Sequence, residues 1–320
     1  MRLVTHISAR FAGLVLALAV AALVATPASG QSAKPTPAPR ADQQTFASPE
    51  EAVAALSTAV AATDRAALTK LFGPAIDEIS SGDPVADKAS FESFAKRMSK
   101  LTNIVKQGDA KAVLYIGAEN WPFQFPIVRS NDKWFFDGKA GLDEMFNRRI
   151  GANELHTIRV CRVYVDAQKE YAASDHDGDG VLEYAQRLVS MPGNRDGLYW
   201  ASDDENDASP FGPLVAYAGT EGYTVKQAPQ PFHGYYFRIL KAQGPAAPGR
   251  AYSYVINGNM IGGFAILAYP ATWGNSGLMS FIVNQQGQVY QRDLGPNTAA
   301  VAAGMRAYNP DSSWKRVEDQ

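Results

Sequence analysis

Gly141-Leu-Asp-Glu-Met-Phe-Asn-Arg-Arg-Ile150-Gly-Ala-Asn-Glu-Leu-His-Thr-Ile-Arg-Val160-Cys-Arg-Val-Tyr-Val-Asp-Ala-Gln-Lys-Glu170-Tyr-Ala-Ala173 decides the fold. Leu142, Met145, Phe146, Ile150, Leu155, Ile158, Cys161 and Val165 trace an apolar stripe at helical spacing. Gly151 interrupts it at a cost of about 1 kcal/mol against alanine. The spacing predicts one long helix over 141–173. Strand patterns lie on both sides, so the helix reads as a bridge between two α+β halves.

Upstream, Ser48-Pro49-Glu50-Glu51 supplies a capping serine, a proline at the first helical position and a glutamate at the third. Val53, Leu56 and Val60 continue that helix. Asp64 caps a second helix carrying Leu68, Leu71 and Phe72, ended by Gly73-Pro74. Ser90 is read as the start of a third, with Phe91, Phe94, Met98 and Leu101 on one stripe. Strands are predicted over 112–116, 123–128 and 133–136, the last two closed by Ser130-Asn131-Asp132. Helices followed by a curled antiparallel sheet resemble the cone-shaped, nuclear-transport-factor-like folds, by analogy of pattern alone.

Downstream, strands are predicted over 234–240, 251–256, 262–268, 278–283 and 288–292, with a final helix over 298–308. The fold class is therefore α+β: N-terminal helices with a curled antiparallel sheet, a long bridging helix, and a C-terminal α+β unit with its own antiparallel sheet. The parts are a signal peptide over 1–30, a Pro-rich linker over 31–45, a first domain over 46–140, the helix over 141–173, and a second domain over 174–320.

The signal peptide rests on three features. Arg2, His6 and Arg10 give a positive start, and Phe11 to Val24 is an uncharged run. That run falls short of the roughly 20 residues of a membrane-spanning helix. Ala28 and Gly30 then sit at −3 and −1 of a cut before Gln31. Cleavage would leave a periplasmic or secreted protein with no membrane attachment; an uncleaved segment would tether it. The single cysteine, Cys161, rules out an intramolecular disulfide and lies far from any lipidation position. It reads as a buried small hydrophobe. A net charge of −2 offers no electrostatic case for nucleic acid.

The sharpest chemical motif is Asp175-His176-Asp177-Gly178-Asp179-Gly180. Carboxylates on alternate residues followed by glycine suit an oxygen-seeking cation such as calcium. The match to the calcium-binding EF-hand loop is incomplete: Gln186 stands at its twelfth position, and the nearest acid is Glu183 at the ninth. The candidate ligands are thus Asp175, Asp177, Asp179 and Glu183; the plainer reading is a solvated turn capping a following helix. Asp196-Gly-Leu-Tyr-Trp200 and the acidic run 203–207 read as a binding surface or as a pinned loop. His233, read as lying at the start of a strand, is a candidate general base, but with no adjacent nucleophile edge-strand packing is the favoured reading. Gly274-Asn275-Ser276-Gly277 is not a nucleophile elbow, because its second glycine comes one residue early. No CxxC, P-loop, HExxH or well-placed GxGxxG occurs.

Several stretches together resemble the bacterial exported domain-of-unknown-function family 2950. They include Phe46-Ala-Ser-Pro-Glu-Glu-Ala52, Trp134-Phe-Phe-Asp-Gly138, Arg148-Arg-Ile-Gly-Ala-Asn-Glu154, Asp177-Gly-Asp-Gly-Val-Leu-Glu-Tyr-Ala185, Asp196-Gly-Leu-Tyr-Trp200, His233-Gly-Tyr-Tyr236 and Gly258-Asn-Met-Ile-Gly-Gly-Phe264. The resemblance implies an envelope protein and transfers no catalytic residue. The second half is also faintly similar to type II secretion pseudopilin heads, although the pilin N-terminus is missing.

The leading expectation is a non-enzymatic module that binds a small ligand or an envelope protein and is steadied by calcium. Two others stand beside it. One is a hydrolase or isomerase with a pocket in the first half and His156 or Glu119 as base. The other is an accessory factor of secretion or surface assembly.

Overall fold

Ser48 opens helix α1 (Pro49–Ala61) in the way its sequence dictates. Its Oγ accepts the Glu51 N–H at 3.2 Å, and Glu51 Oε2 accepts the Ala47 N–H at 3.0 Å. The computed structural model describes residues 37–318, apart from 203, 205, 206, 227 and 228 and the side chain of Ala75. The predicted signal peptide, and the linker up to residue 36, lie outside the described residues.

Asp64 caps α2 (Arg65–Phe72) by accepting the Ala67 N–H at 3.0 Å, and a 3₁₀ turn (Gly73–Glu78) follows. Helix α3 (Pro84–Lys100) starts six residues ahead of Ser90. The reason is Asp83-Pro84: Asp83 Oδ1 accepts the Val85 and Ala86 N–H groups, and proline takes the first helical position.

The first sheet contains β1 (Thr102–Lys106), β2 (Lys111–Ile116), β3 (Trp121–Pro122), β4 (Ile127–Ser130) and β5 (Lys133–Phe136). Its order is β1-β2-β4-β5, with β3 paired to β2, and every pairing is antiparallel. The strand expected over 123–128 is broken, because Pro126 has no N–H for a ladder. Phe123 and Phe125 both turn inward instead. Phe72 lies 4.5 Å from Phe125 and Phe94 lies 5.1 Å from Phe123, ring centre to ring centre. These rings, with Leu56, Leu71 and Phe136, form the first core.

Helix α4 (Gly138–Tyr171) runs 34 residues, capped by Asp137, whose Oδ1 accepts the Ala140 N–H at 3.0 Å. It begins three residues before the expected 141 and passes through Gly151 without a break. Its middle docks onto the turn that carries Asn275 and Ser276. Arg149 donates to Asn275 Oδ1, Asn153 donates to the Ser276 carbonyl at 2.9 Å, and Glu154 Oε1 accepts the Leu278 and Met279 N–H groups at 3.0 and 2.9 Å. The Arg148–Glu154 stretch is therefore a docking face. Its turn reaches the first half as well, since Asn275 Nδ2 donates to the Ser80 carbonyl at 2.7 Å.

Helix α5 (Gly212–Thr220) follows. The second sheet has the order β14-β13-β12-β11-β6. Its strands are β6 (Tyr235–Leu240), β11 (Ala265–Pro270), β12 (Met279–Asn284), β13 (Tyr290–Asp293) and β14 (Lys315–Arg316). Two short ribbons pair β7 (Ala242–Gln243) with β8 (Tyr252–Ser253), and β9 (Val255–Ile256) with β10 (Asn259–Met260). The β9–β10 turn is Asn257-Gly258, both at positive φ, as a two-residue hairpin favours. Helix α6 (Thr298–Gly304) ends four residues before the expected 308, with Met305 already extended. Cys161, Tyr164 and Val165 of α4 pack with Leu240, Phe264, Leu267 and Ile282 in the second core. The architecture is α+β with open antiparallel sheets.

Candidate functional site

Within the acidic loop, carboxylate oxygens of Asp175, Asp177 and Asp179 lie within 4.8 Å of one another, all exposed. The backbone organises them. Asp175 accepts the Gly178 N–H at 2.8 Å and the Gly180 N–H at 2.9 Å; Gly178 and Gly180 both have positive φ. These backbone donors hold the Asp175 carboxyl below its usual range. Asp179 Oδ1 accepts the Val181 N–H at 2.7 Å and its Oδ2 accepts from Asn259 Nδ2 at 2.6 Å. Glu183 is not one of the gathered three. Its Oε2 accepts the Met260 N–H at 2.7 Å, tying the segment to β10. No helix follows the loop, so its carboxylates do not cap one.

A cleft of about 540 Å³ lies between α5, β6 and the chain around Leu188. Its walls include Leu188, Val215, Phe232, Phe237 and Ile239. The charged residues bordering it are Arg187, Lys226 and Arg238, with no carboxylate among the lining residues. Arg187 pairs with Asp196 at 3.0 Å. Arg238 donates to the carbonyls of Ala302, Ala303 and Met305 beyond the sheet, and burial lowers its pKa. A smaller cavity of about 390 Å³ adjoins the cleft, sharing Val189, Tyr199 and Val225.

Beside Phe232 lies a pair the sequence did not join. His156 of α4 and His233 have ring centres 3.9 Å apart, and Phe232 stands edge-on to His156 at 5.1 Å. His156 Nε2 is buried without a partner, while His233 Nε2 meets Glu221 Oε2 at 2.8 Å. Burial first, and the neighbouring His233 second, lower the His156 pKa to about 4. His233 does not start the strand as expected. It sits at φ 47° with Gly234 at φ 73°, forming the two-residue turn between Phe232 and Tyr235. A Cβ at Gly234 would lie 2.8 Å from Asn153 Nδ2 and 2.8 Å from Ser276 Cβ, so the turn needs glycine.

The other candidates fall as follows. Cys161 is fully buried and its thiol is pushed up to about 12, which leaves it chemically inert. Glu119 is exposed at a turn, and the first-half interior holds the phenylalanine cluster. Trp200 is pinned, its indole N–H donating to the Asp207 carbonyl at 2.9 Å, and Arg195 grips the Asp207 carboxylate at 2.6 Å. Residues 203, 205 and 206 of the acidic run lie outside the described residues. Among the described residues no helix is long and apolar enough to cross a membrane.

A family model described as "Protein of unknown function (DUF2950)" matches residues 43–317. The chain belongs to that family. The DUF2950 match spans both cores, the acidic loop and the cleft. No match to the chain is found among the curated proteins or among the solved structures.

Proposed function

We propose that this DUF2950 protein is an exported envelope protein that acts by binding, with the cleft between α5 and β6 as the ligand site. The observation that carries the reading is the lining. Apolar and aromatic side chains dominate, and every charged residue bordering the space is a cation. That combination suits a ligand with an apolar body and an acidic group. A binding rather than base-catalytic reading is supported by His156, whose pKa, lowered to about 4, makes it a weak proton acceptor.

We also propose that Asp175, Asp177 and Asp179 hold one calcium ion, which steadies the junction with Asn259 rather than taking part in binding. Glu183, whose Oε2 is held by the Met260 N–H, contributes through water rather than directly. Export rests on the N-terminal sequence, with cleavage before Gln31.

The test uses anilinonaphthalene sulfonate, an apolar dye with one anionic group. The mature protein should bind it stoichiometrically. Val225→Asp, which adds a carboxylate at an exposed lining position, should weaken binding at least about tenfold, or ~1.4 kcal/mol. Dye binding that ignores this substitution would sink the reading.

A further inference from the structure

The second sheet ends on β6, and one stretch of its outer edge is open. The ladder shows which groups face outward. Ala271 N–H donates to the Gly234 carbonyl at 2.8 Å, continuing the register that pairs Tyr235 with Pro270. Hydrogen-bonded pairs alternate along an antiparallel ladder. Tyr236, Arg238 and Leu240 therefore exchange bonds with β11, whereas Phe237 and Ile239 aim their N–H and C=O groups the other way. Tyr235, on the same outward phase, exchanges both its bonds with Phe232. At the far end, the Lys241 carbonyl accepts the Tyr254 N–H at 2.9 Å. Between these two closures, the N–H and C=O groups of Phe237 and Ile239 have no partner among the described residues. Both residues line the cleft.

The two faces of this edge differ. Ile266, directly opposite Ile239 in the ladder, lines the cleft together with Val160 of α4, so Phe237 and Ile239 share the apolar face. Arg238 takes the opposite face.

From this we infer that the occupant of the cleft is an extended polypeptide segment, added antiparallel to β6 as a sixth strand, with alternate apolar residues entering the cleft and acidic residues between them. The inference rests on the binding-site reading above and names its ligand. Four unpaired backbone groups in one row supply the directional bonds that strand addition uses, and alternate side-chain pockets supply the choice of sequence. The open row admits a short segment of about five residues, since a strand rises about 3.4 Å per residue. Arg187 is already paired with Asp196 and Arg238 with the carbonyls of Ala302, Ala303 and Met305, so Lys226, with no ion pair among the described residues, carries the preference for acidic side chains over basic ones.

The experiment uses the mature chain and an acetylated, amidated hexapeptide of alternating valine and glutamate. The peptide should bind, protect the Phe237 and Ile239 amides from hydrogen exchange, and displace the dye. Replacing glutamate by lysine should weaken it at least about tenfold. In an antiparallel strand the valine amides face β6, so N-methylating the valines should abolish binding and N-methylating the glutamates should spare it. Ile239→Pro removes an outward N–H that makes no bond to β11, and should lose the peptide while Ile239→Val keeps it. Equal tolerance of both methylated sets would overturn strand pairing even if Ile239→Pro fails to fold. Absence of binding by this peptide and by a randomised pool of acidic extended hexapeptides, with dye binding intact, would overturn the inference and leave the cleft reading standing. Loss of dye binding as well would overturn both.

Discussion

The hydroxyl of Tyr223 donates to Asp83 Oδ2 at 2.8 Å, across 140 residues of chain. The same oxygen accepts the Gly234 N–H at 3.1 Å, while Oδ1 caps α3. One buried carboxylate thus fastens a first-half helix to the turn before β6. Asp83→Ala should cost about 3 kcal/mol or more, because a helix cap is lost and buried donors are orphaned. Tyr223→Phe should cost about 1 kcal/mol. Urea denaturation checks both, and near-equal costs would refute the keystone role of Asp83.

Two glycines of α4 should respond to alanine with opposite sign. A Cβ at Gly141 would lie 2.0 Å from the Phe125 ring, whereas a Cβ at Gly151 would meet nothing within 4 Å. Gly151→Ala should stabilise by about 0.5–1 kcal/mol through helix propensity. Gly141→Ala should destabilise by about 1–3 kcal/mol through overpacking. Midpoints in urea measure the pair, and matching shifts would contradict the packing.

His156 should make stability pH-dependent. Its folded pKa, about 4, lies below the 6.5 of an unperturbed histidine. The folded state therefore binds fewer protons. This contribution is complete above pH 6.5 and is lost as pH falls toward 4. His156→Phe should remove that slope, so variant and parent melting temperatures should shift in the variant's favour on acidification. A parallel decline of both would count against it.

Calcium should raise the melting temperature of the mature protein and a chelator should reverse the rise. At a hundredfold excess over Kd, the gain is about 2.7 kcal/mol. Asp177→Ala should abolish the response. Glu183→Gln should leave most of it, because the Glu183 Oε2 oxygen is engaged by Met260. Calorimetry that finds no site, or finds Glu183 indispensable, would remove the ion from this loop.

If the proposed export and cleavage hold, N-terminal sequencing of the protein recovered from cells should begin at Gln31. An intact Met1 in a membrane fraction would show a tether instead.

Local signals in the sequence carried far in the fold and less far in the site. Ser48, Asp64 and the α4 stripe announce their helices because caps and periodicity are local. Strand β1 carries no such signal, because only one of its five residues is even half-buried and it lacks the alternating pattern that β2 shows. Helix α5 follows Phe211, which offers no side-chain cap, and it buries no residue fully. The acidic loop could be read as three neighbouring residues. The cleft could not, since Val160, Leu188, Val215 and Ile239 come from separate segments that only the tertiary fold brings together. The His156–His233 pair has the same origin: a helix and a hairpin turn far apart in sequence.

The single, fully buried Cys161 also makes the protein its own reporter. It sits on α4 in the second core, away from solvent, so a thiol reagent can reach it only when that core opens. Labelling rates across denaturant would then yield the opening free energy from one chemically unique atom. Ligand or ion binding that closes the core would slow that clock in proportion to its affinity.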